Sequence, residues 1–144
     1  MKNSLANKSD TTWNFIDRGI WTLIEANSGI IGACLPVSFK RGPQELRKLL
    51  RKYDPAMVLC VGLAASRSHL SLERVAVNLA DARIADNDGE QPLDAPIVKH
   101  APAAYFSSVP VKAMVSRLRG RGFKAEVSYS AGTYVCNAIG SPWL

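Results

Sequence analysis

Histidine is scarce in this sequence: 144 residues hold two, His69 and His100. Any chemistry that needs an imidazole therefore has few candidates. Cysteine is sparse as well. Cys34, Cys60 and Cys136 form an odd set without metal-ligand spacing. That speaks against a disulfide framework or a metal site, and for a reducing, cytoplasmic setting. The longest apolar runs, such as residues 56–65, fall well short of a bilayer span, so no membrane partner is expected. Residues 1–10 are polar, so no apolar secretory core follows the initiator. Acidic residues are outnumbered 12 to 18 by basic ones, giving a net charge of +6. The excess falls on residues 40–52 and 117–124, which read as solvated helix faces. Neither interleaves aromatics with its charges, and no nucleic-acid partner is expected.

What remains is globular composition: 47% hydrophobic and 21% charged, in a chain the size of one domain. Trp13, Ile16, Ile20 and Ile24 lie on one helical stripe, so residues 10–26 are expected to form a helix. Residues 30–39 can hold a short strand. Pro43 opens a helix with Leu46, Leu49, Leu50 and Tyr53 inward, closed by Asp54 and Pro55. Residues 57–61 form a continuous apolar run, the pattern of a strand buried on both faces. Residues 70–79 alternate, but the phase switches at Glu73 and Arg74, which predicts a bulge or bend there. Residues 81–94 are turn-rich and read as a loop. A second helix starts at Pro110 and stops at Gly122, a strand follows at 125–128, and a glycine-containing turn leads to a short helix with Cys136. A helix followed by a buried strand suggests one α/β domain with a largely parallel sheet.

Two residues stand out chemically. Cys136 follows a strand and a turn at the start of a helix, where unpaired amides and the helix dipole favour a thiolate. It reads either as a nucleophile or as a small apolar filler like Cys60. Glu73 is a carboxylate within an apolar alternating segment, so it needs a partner. Either it pairs with Arg67 or Arg74, or it orients an imidazole beside a thiol. Arg67 and Arg83 each face a developing oxyanion or cover surface.

Residues 62–78 (GLAASRSHLSLERVAVN) resemble the glutamate signature of pyroglutamyl-peptidase I, and residues 123–137 (FKAEVSYSAGTYVCN) resemble its cysteine signature. Between them, residues 81–87 (DARIADN), 91–94 (QPLD) and 103–107 (AAYFS) are also similar to that family, as is the upstream PVSF at 36–39. The likeness is dense over residues 35–137. It implies a single-domain α/β/α sandwich with a mixed, largely parallel sheet, in a cytoplasmic cysteine peptidase that removes N-terminal pyroglutamate from peptides. It further implies no cofactor, no metal, and homo-oligomers, commonly tetramers. By position, Cys136 takes the place of the nucleophile and Glu73 that of the acid. Arg83 takes the place of the oxyanion arginine and Tyr134 that of an aromatic lining the pyroglutamate pocket.

Residues 1–34 and 138–144 depart from the family pattern, so the chain is expected to be a single domain, 1–144, truncated or divergent at both ends. Neither His69 nor His100 occupies the family's histidine position. Because one missing member of a cooperating triad costs orders of magnitude in rate, weak or absent activity is expected. The competing expectation is an inactive homologue of the peptidase.

Overall fold

The computed structural model describes residues 20–26, 29–64 and 66–141. Ten elements follow in the order β1 (Ile20–Ala26), β2 (Gly29–Leu35), α1 (Arg41–Tyr53), β3 (Met57–Val61), β4 (Leu70–Glu73), β5 (Val75–Val77), β6 (Ala104–Phe106), α2 (Val111–Gly120), β7 (Ala125–Ser128) and α3 (Val135–Gly140). The chain is α/β with mixed pairing. Among the described residues β1 pairs antiparallel with β2 and β3, and β5 with β6, while β4 and β7 are parallel. The expectation of a largely parallel sheet is corrected in that respect. Ala26 pairs with Gly29, and strands joined by so short a connection can only run antiparallel. The parallel pair β4–β7 has the long connection that parallel strands require, with α2 inside it.

The helix expected over 10–26 is a strand from Ile20 onward; residues 10–19 lie outside the described residues. The fourfold spacing of Ile20 and Ile24 is a multiple of two as well as near one helical turn. With Thr22 between them, all three point to one buried face, at 4%, 0% and 0% exposure. The β-branched residues favour strand, and pairing with β2 and β3 decides it. Residues 57–61 form β3 as expected, but it is not covered on both faces. Among the described residues it pairs with β1 alone, at the edge of the sheet, and Met57, Leu59 and Cys60 are exposed.

Other expectations hold. Helix α1 buries Leu46 and ends at Asp54, whose left-handed conformation and N–H to Leu50 O close it. Helix α2 buries Val111 and Val115. The phase switch at Glu73 and Arg74 is a change of partner: β4 pairs with β7, and after Arg74 the chain re-enters as β5 beside β6. Arg74 serves both sides, its N–H donating to Ser128 O and its carbonyl accepting from Ser107 N–H.

The core joins the first sheet to the last helix. Ile20, Leu35, Leu46, Val135 and Ile139 form one buried cluster, flanked by Phe39, Leu49, Leu50 and Tyr134. Side chains of this kind contribute about 1.5–3 kcal/mol each when fully buried. Gly42 lets α1 reach α3: a Cβ there would stand 2.9 Å from Pro36 O and 3.1 Å from Ile139 Cδ1. This packing fixes α3, and so the residue after Val135, relative to the rest of the chain.

Candidate active site

Cys136 is the second residue of α3 and is held by its neighbours on both sides. Val135 is fully buried in the core. Asn137, 1% exposed, works as a clamp: its Oδ1 accepts from Val77 N–H at 2.9 Å, and its Nδ2 donates to Val77 O at 2.9 Å and Leu79 O at 3.0 Å. The clamp ties α3 to the end of β5. On the other side, Gly62 closes in from the end of β3, where a Cβ would lie 3.2 Å from Cys136 Sγ. Cys136 as a residue is exposed. Its thiol is nonetheless pushed above the usual thiol range, first by burial and then by the Glu73 charge, against one backbone hydrogen bond that lowers it. The thiolate expected from the helix start is therefore not favoured by these residues alone. The six-residue helix supplies too little field to offset desolvation and a neighbouring carboxylate.

Glu73 closes β4, paired in register with Ser128 on β7. Its Oε1 accepts from Arg67 Nη1 at 2.9 Å, and both side chains are half-buried. Its Oε2 is buried and has no hydrogen-bond partner among the described residues. Of the two partners anticipated from sequence, Arg67 is the one found. Arg74 instead donates to Ser107 O and lies over the Phe106 ring. A buried carboxylate oxygen without a donor is costly, and this one belongs to a group whose charge acts on the Cys136 thiol.

Tyr134 caps α3 and is bound into the frame. Its hydroxyl donates to Ala85 O at 3.0 Å and its ring meets Phe39 edge-on at 5.4 Å between centroids. Burial pushes its phenol pKa up, with Asp86 and Cys136 adding to the rise. Arg83 is exposed on the loop after β5. That loop is laced to the turn before α3: Asp81 N–H donates to Thr133 O, Thr133 Oγ1 donates to Asp81 O, and Tyr134 to Ala85. The charge of Glu73 is thus felt at Cys136 and that of Cys136 at Tyr134, and the Arg83 segment is bonded to the turn before α3.

The histidines are elsewhere. His69 Nε2 lies 2.8 Å from Glu126 Oε1, which holds the Glu126 carboxyl below its usual range. His100 is exposed, in a left-handed turn conformation. Neither reaches the free Glu73 oxygen. The described residues contain no cluster of His, Cys, Asp or Glu able to hold a metal, and no helix among them is long and apolar enough to cross a membrane.

The profile of the pyroglutamyl peptidase family matches residues 11–140. The chain belongs to that family. It is 48% identical over 113 residues to the pyrrolidone-carboxylate peptidase of Thermococcus litoralis, covering 78% of this chain and 51% of that protein. It superposes on the solved Thermococcus litoralis pyrrolidone carboxyl peptidase with a TM-score of 0.72 at 50% identity, covering 73% of this chain and 48% of that one. For the pyroglutamyl peptidase I of Bacillus amyloliquefaciens the values are 0.71 and 42%, covering 73% and 51%. The chain spans about half the length of the curated relatives it matches.

Two residues that support this candidate site have little signal of their own in the sequence. Asn137 stands at the end of a signature, marked only as a polar residue between Val135 and Ile139 on a short helix. Asp86, 7% exposed, takes hydrogen bonds from the backbone N–H groups of Phe39, Asp88 and Glu90 and so sets the loop against which Tyr134 rests. Its position in a run of turn residues made it look like ordinary loop polarity.

Proposed function

We propose that this chain carries the nucleophile and acid of a cysteine peptidase that cleaves the bond after an N-terminal pyroglutamate. One observation carries the reading: Glu73, whose charge acts on the Cys136 thiol, keeps a buried carboxylate oxygen without a donor, in a chain of the pyroglutamyl peptidase family. In this mechanism Cys136 Sγ attacks the carbonyl that joins pyroglutamate to the next residue. The carbonyl π bond opens to an oxyanion, which Arg83 faces. Collapse expels the shortened peptide as an amine that takes up a proton and leaves a thioester; water then releases pyroglutamate and regenerates the thiol. An imidazole takes the proton from sulfur and returns it to the leaving amine, with Glu73 Oε2 accepting its far N–H. Tyr134 and Phe39 supply one wall for the uncharged lactam ring. Acyl transfer of this kind calls for no cofactor or metal.

Within the described residues the imidazole is not supplied by His69, which faces Glu126, nor by His100. That placement favours a second reading, a family member that does not turn over unaided. We propose residues 1–144 as one domain of a cytoplasmic protein that forms homo-oligomers; size-exclusion chromatography with light scattering tests the last of these.

The discriminating assay is hydrolysis of a fluorogenic pyroglutamyl amide by the purified chain, with and without free imidazole. Slow turnover that rises with imidazole and disappears in Cys136→Ala supports the peptidase reading. Turnover that survives Cys136→Ala, or full-rate turnover abolished by His69→Ala, overturns this assignment of roles.

A further inference from the structure

Arg67 sits in the connection between β3 and β4, where its N–H donates to Ala64 O in a turn. Its guanidinium divides its donors. Nη1 goes to Glu73 Oε1 at 2.9 Å and Nη2 to Ser130 O at 3.2 Å. Ser130 belongs to the turn between β7 and α3, the turn that delivers Cys136. That turn is also held by Ser128 Oγ donating to Ser130 O at 3.2 Å and by Gly132 N–H donating to Ser130 Oγ at 3.1 Å. One side chain therefore joins the acid to the segment that carries the thiol.

The division of donors has a chemical consequence. A guanidinium facing a carboxylate freely tends to take both oxygens in a two-pronged pair. Here the second prong is committed to a backbone carbonyl, so only Oε1 is occupied and Oε2 stays bare and buried. A bidentate pair would place a donor on each Glu73 oxygen, so that an imidazole would have to share an oxygen already engaged instead of meeting a bare one. Lysine cannot reproduce the arrangement, because a single ammonium has no planar fork to span the two acceptors.

We propose that Arg67 is a positioning residue: by splitting its fork between Glu73 Oε1 and Ser130 O, it fixes the carboxylate and reserves Oε2 as the acceptor for an imidazole beside Cys136. The role of that imidazole rests on the peptidase reading. The coupling of Arg67 to Cys136 through Glu73 does not, and it can be measured without turnover.

The test is alkylation of Cys136 by iodoacetamide across pH, read by peptide mass spectrometry because the chain holds two further cysteines, Cys34 and Cys60. The groups that bear on the Cys136 thiol are Glu73, Cys60 and Tyr134. Arg67→Gln retains an amide donor for Ser130 O but removes the charge that offsets Glu73. Its alkylation midpoint is expected to move up by about half a pH unit. Arg67→Lys keeps the wild-type midpoint, and adding Glu73→Gln to Arg67→Gln removes the shift. No shift in Arg67→Gln, or a shift that persists without the Glu73 charge, overturns the proposal. A side chain that merely supported the turn would loosen the thiol and move the midpoint down.

With imidazole and a pyroglutamyl amide, both Arg67 variants should lose roughly 10- to 100-fold in kcat with KM little changed. A wild type without turnover in that assay defeats the peptidase reading alone, and the alkylation series still decides the coupling. Circular dichroism of each variant separates these effects from unfolding.

Discussion

On one side of Cys136, Asn137 is 1% exposed and spends three hydrogen bonds on Val77 and Leu79. The loop at 81–86 is bonded to Thr133 and Tyr134 on the same side. On the other side, past Gly62, Leu63 is 82% exposed, Leu59 is exposed, and among the described residues β3 pairs with β1 alone. The thiol lies between a flank locked by side-chain-to-backbone bonds and a flank that is open. A buried amide clamp costs little entropy to keep in place once folded, and it fixes Cys136. In the reading proposed above, the exposed flank is where a peptide carbonyl and an imidazole approach.

Substitutions on the two flanks should therefore behave differently. The largest effect is expected at the acid: Glu73→Gln keeps the shape but removes the charge that orients imidazole, and imidazole-assisted turnover should fall roughly 100-fold or more. Equal turnover in the variant would remove Glu73 from the mechanism. On the locked flank, Asn137→Ala takes the amide from Val77 N–H and Leu79 O, and leaves Val77 O with only the 3.5 Å bond from Ser141 Oγ. We expect a loss of about 2–4 kcal/mol, read by urea denaturation; a loss below about 0.5 kcal/mol would mean the flank is not locked by this clamp. Gly62→Ala sits on the boundary. Its methyl group, 3.2 Å from Sγ, forces the thiol to give by a few tenths of an ångström. A several-fold change in Cys136 alkylation with little change in stability is expected, roughly what a small displacement of a reacting atom produces.

The pH dependence follows from the same site. Burial and Glu73 hold the Cys136 pKa up, so the thiol form persists at neutral pH and alkylation of the wild type should reach its midpoint above the usual thiol range. A midpoint below that range would require a positive partner that these residues lack. The smallest effect belongs to the open flank: Leu63→Ser should leave the denaturation midpoint within error, since the side chain is largely solvated already.

Much of this was legible in the sequence because the relevant signals are local. Proline, glycine and the apolar spacing mark α1 and α2, and the phase switch at Glu73 and Arg74 reads directly as the change of partner between β4 and β5. The misread segments are those where the local signal is degenerate. A spacing of four between Ile20 and Ile24 fits a strand as well as a helix, and only pairing with β2 and β3 decides it. The apolar run of β3 says that the strand is hydrophobic, not whether a neighbour covers it. In the candidate site, Cys136, Glu73 and Tyr134 stand at positions that the signature segments mark without a structure. The pairing of Arg67 with Glu73 was readable, but its bond to Ser130 O and the bonds of Asp86 to Phe39 and of Asn137 to Val77 span 47 to 63 residues, and no spacing rule announces such contacts.

The central claim is that Cys136 is a nucleophile served by Glu73 through an imidazole from outside the described set of contacts. Its most direct test is hydrolysis of a fluorogenic pyroglutamyl amide over a series of imidazole concentrations, with Cys136→Ala and Glu73→Gln in parallel. The account predicts a rate that rises with imidazole in the wild type, is absent in Cys136→Ala and is strongly reduced in Glu73→Gln. A rate indifferent to imidazole, or one that survives Cys136→Ala, would contradict it.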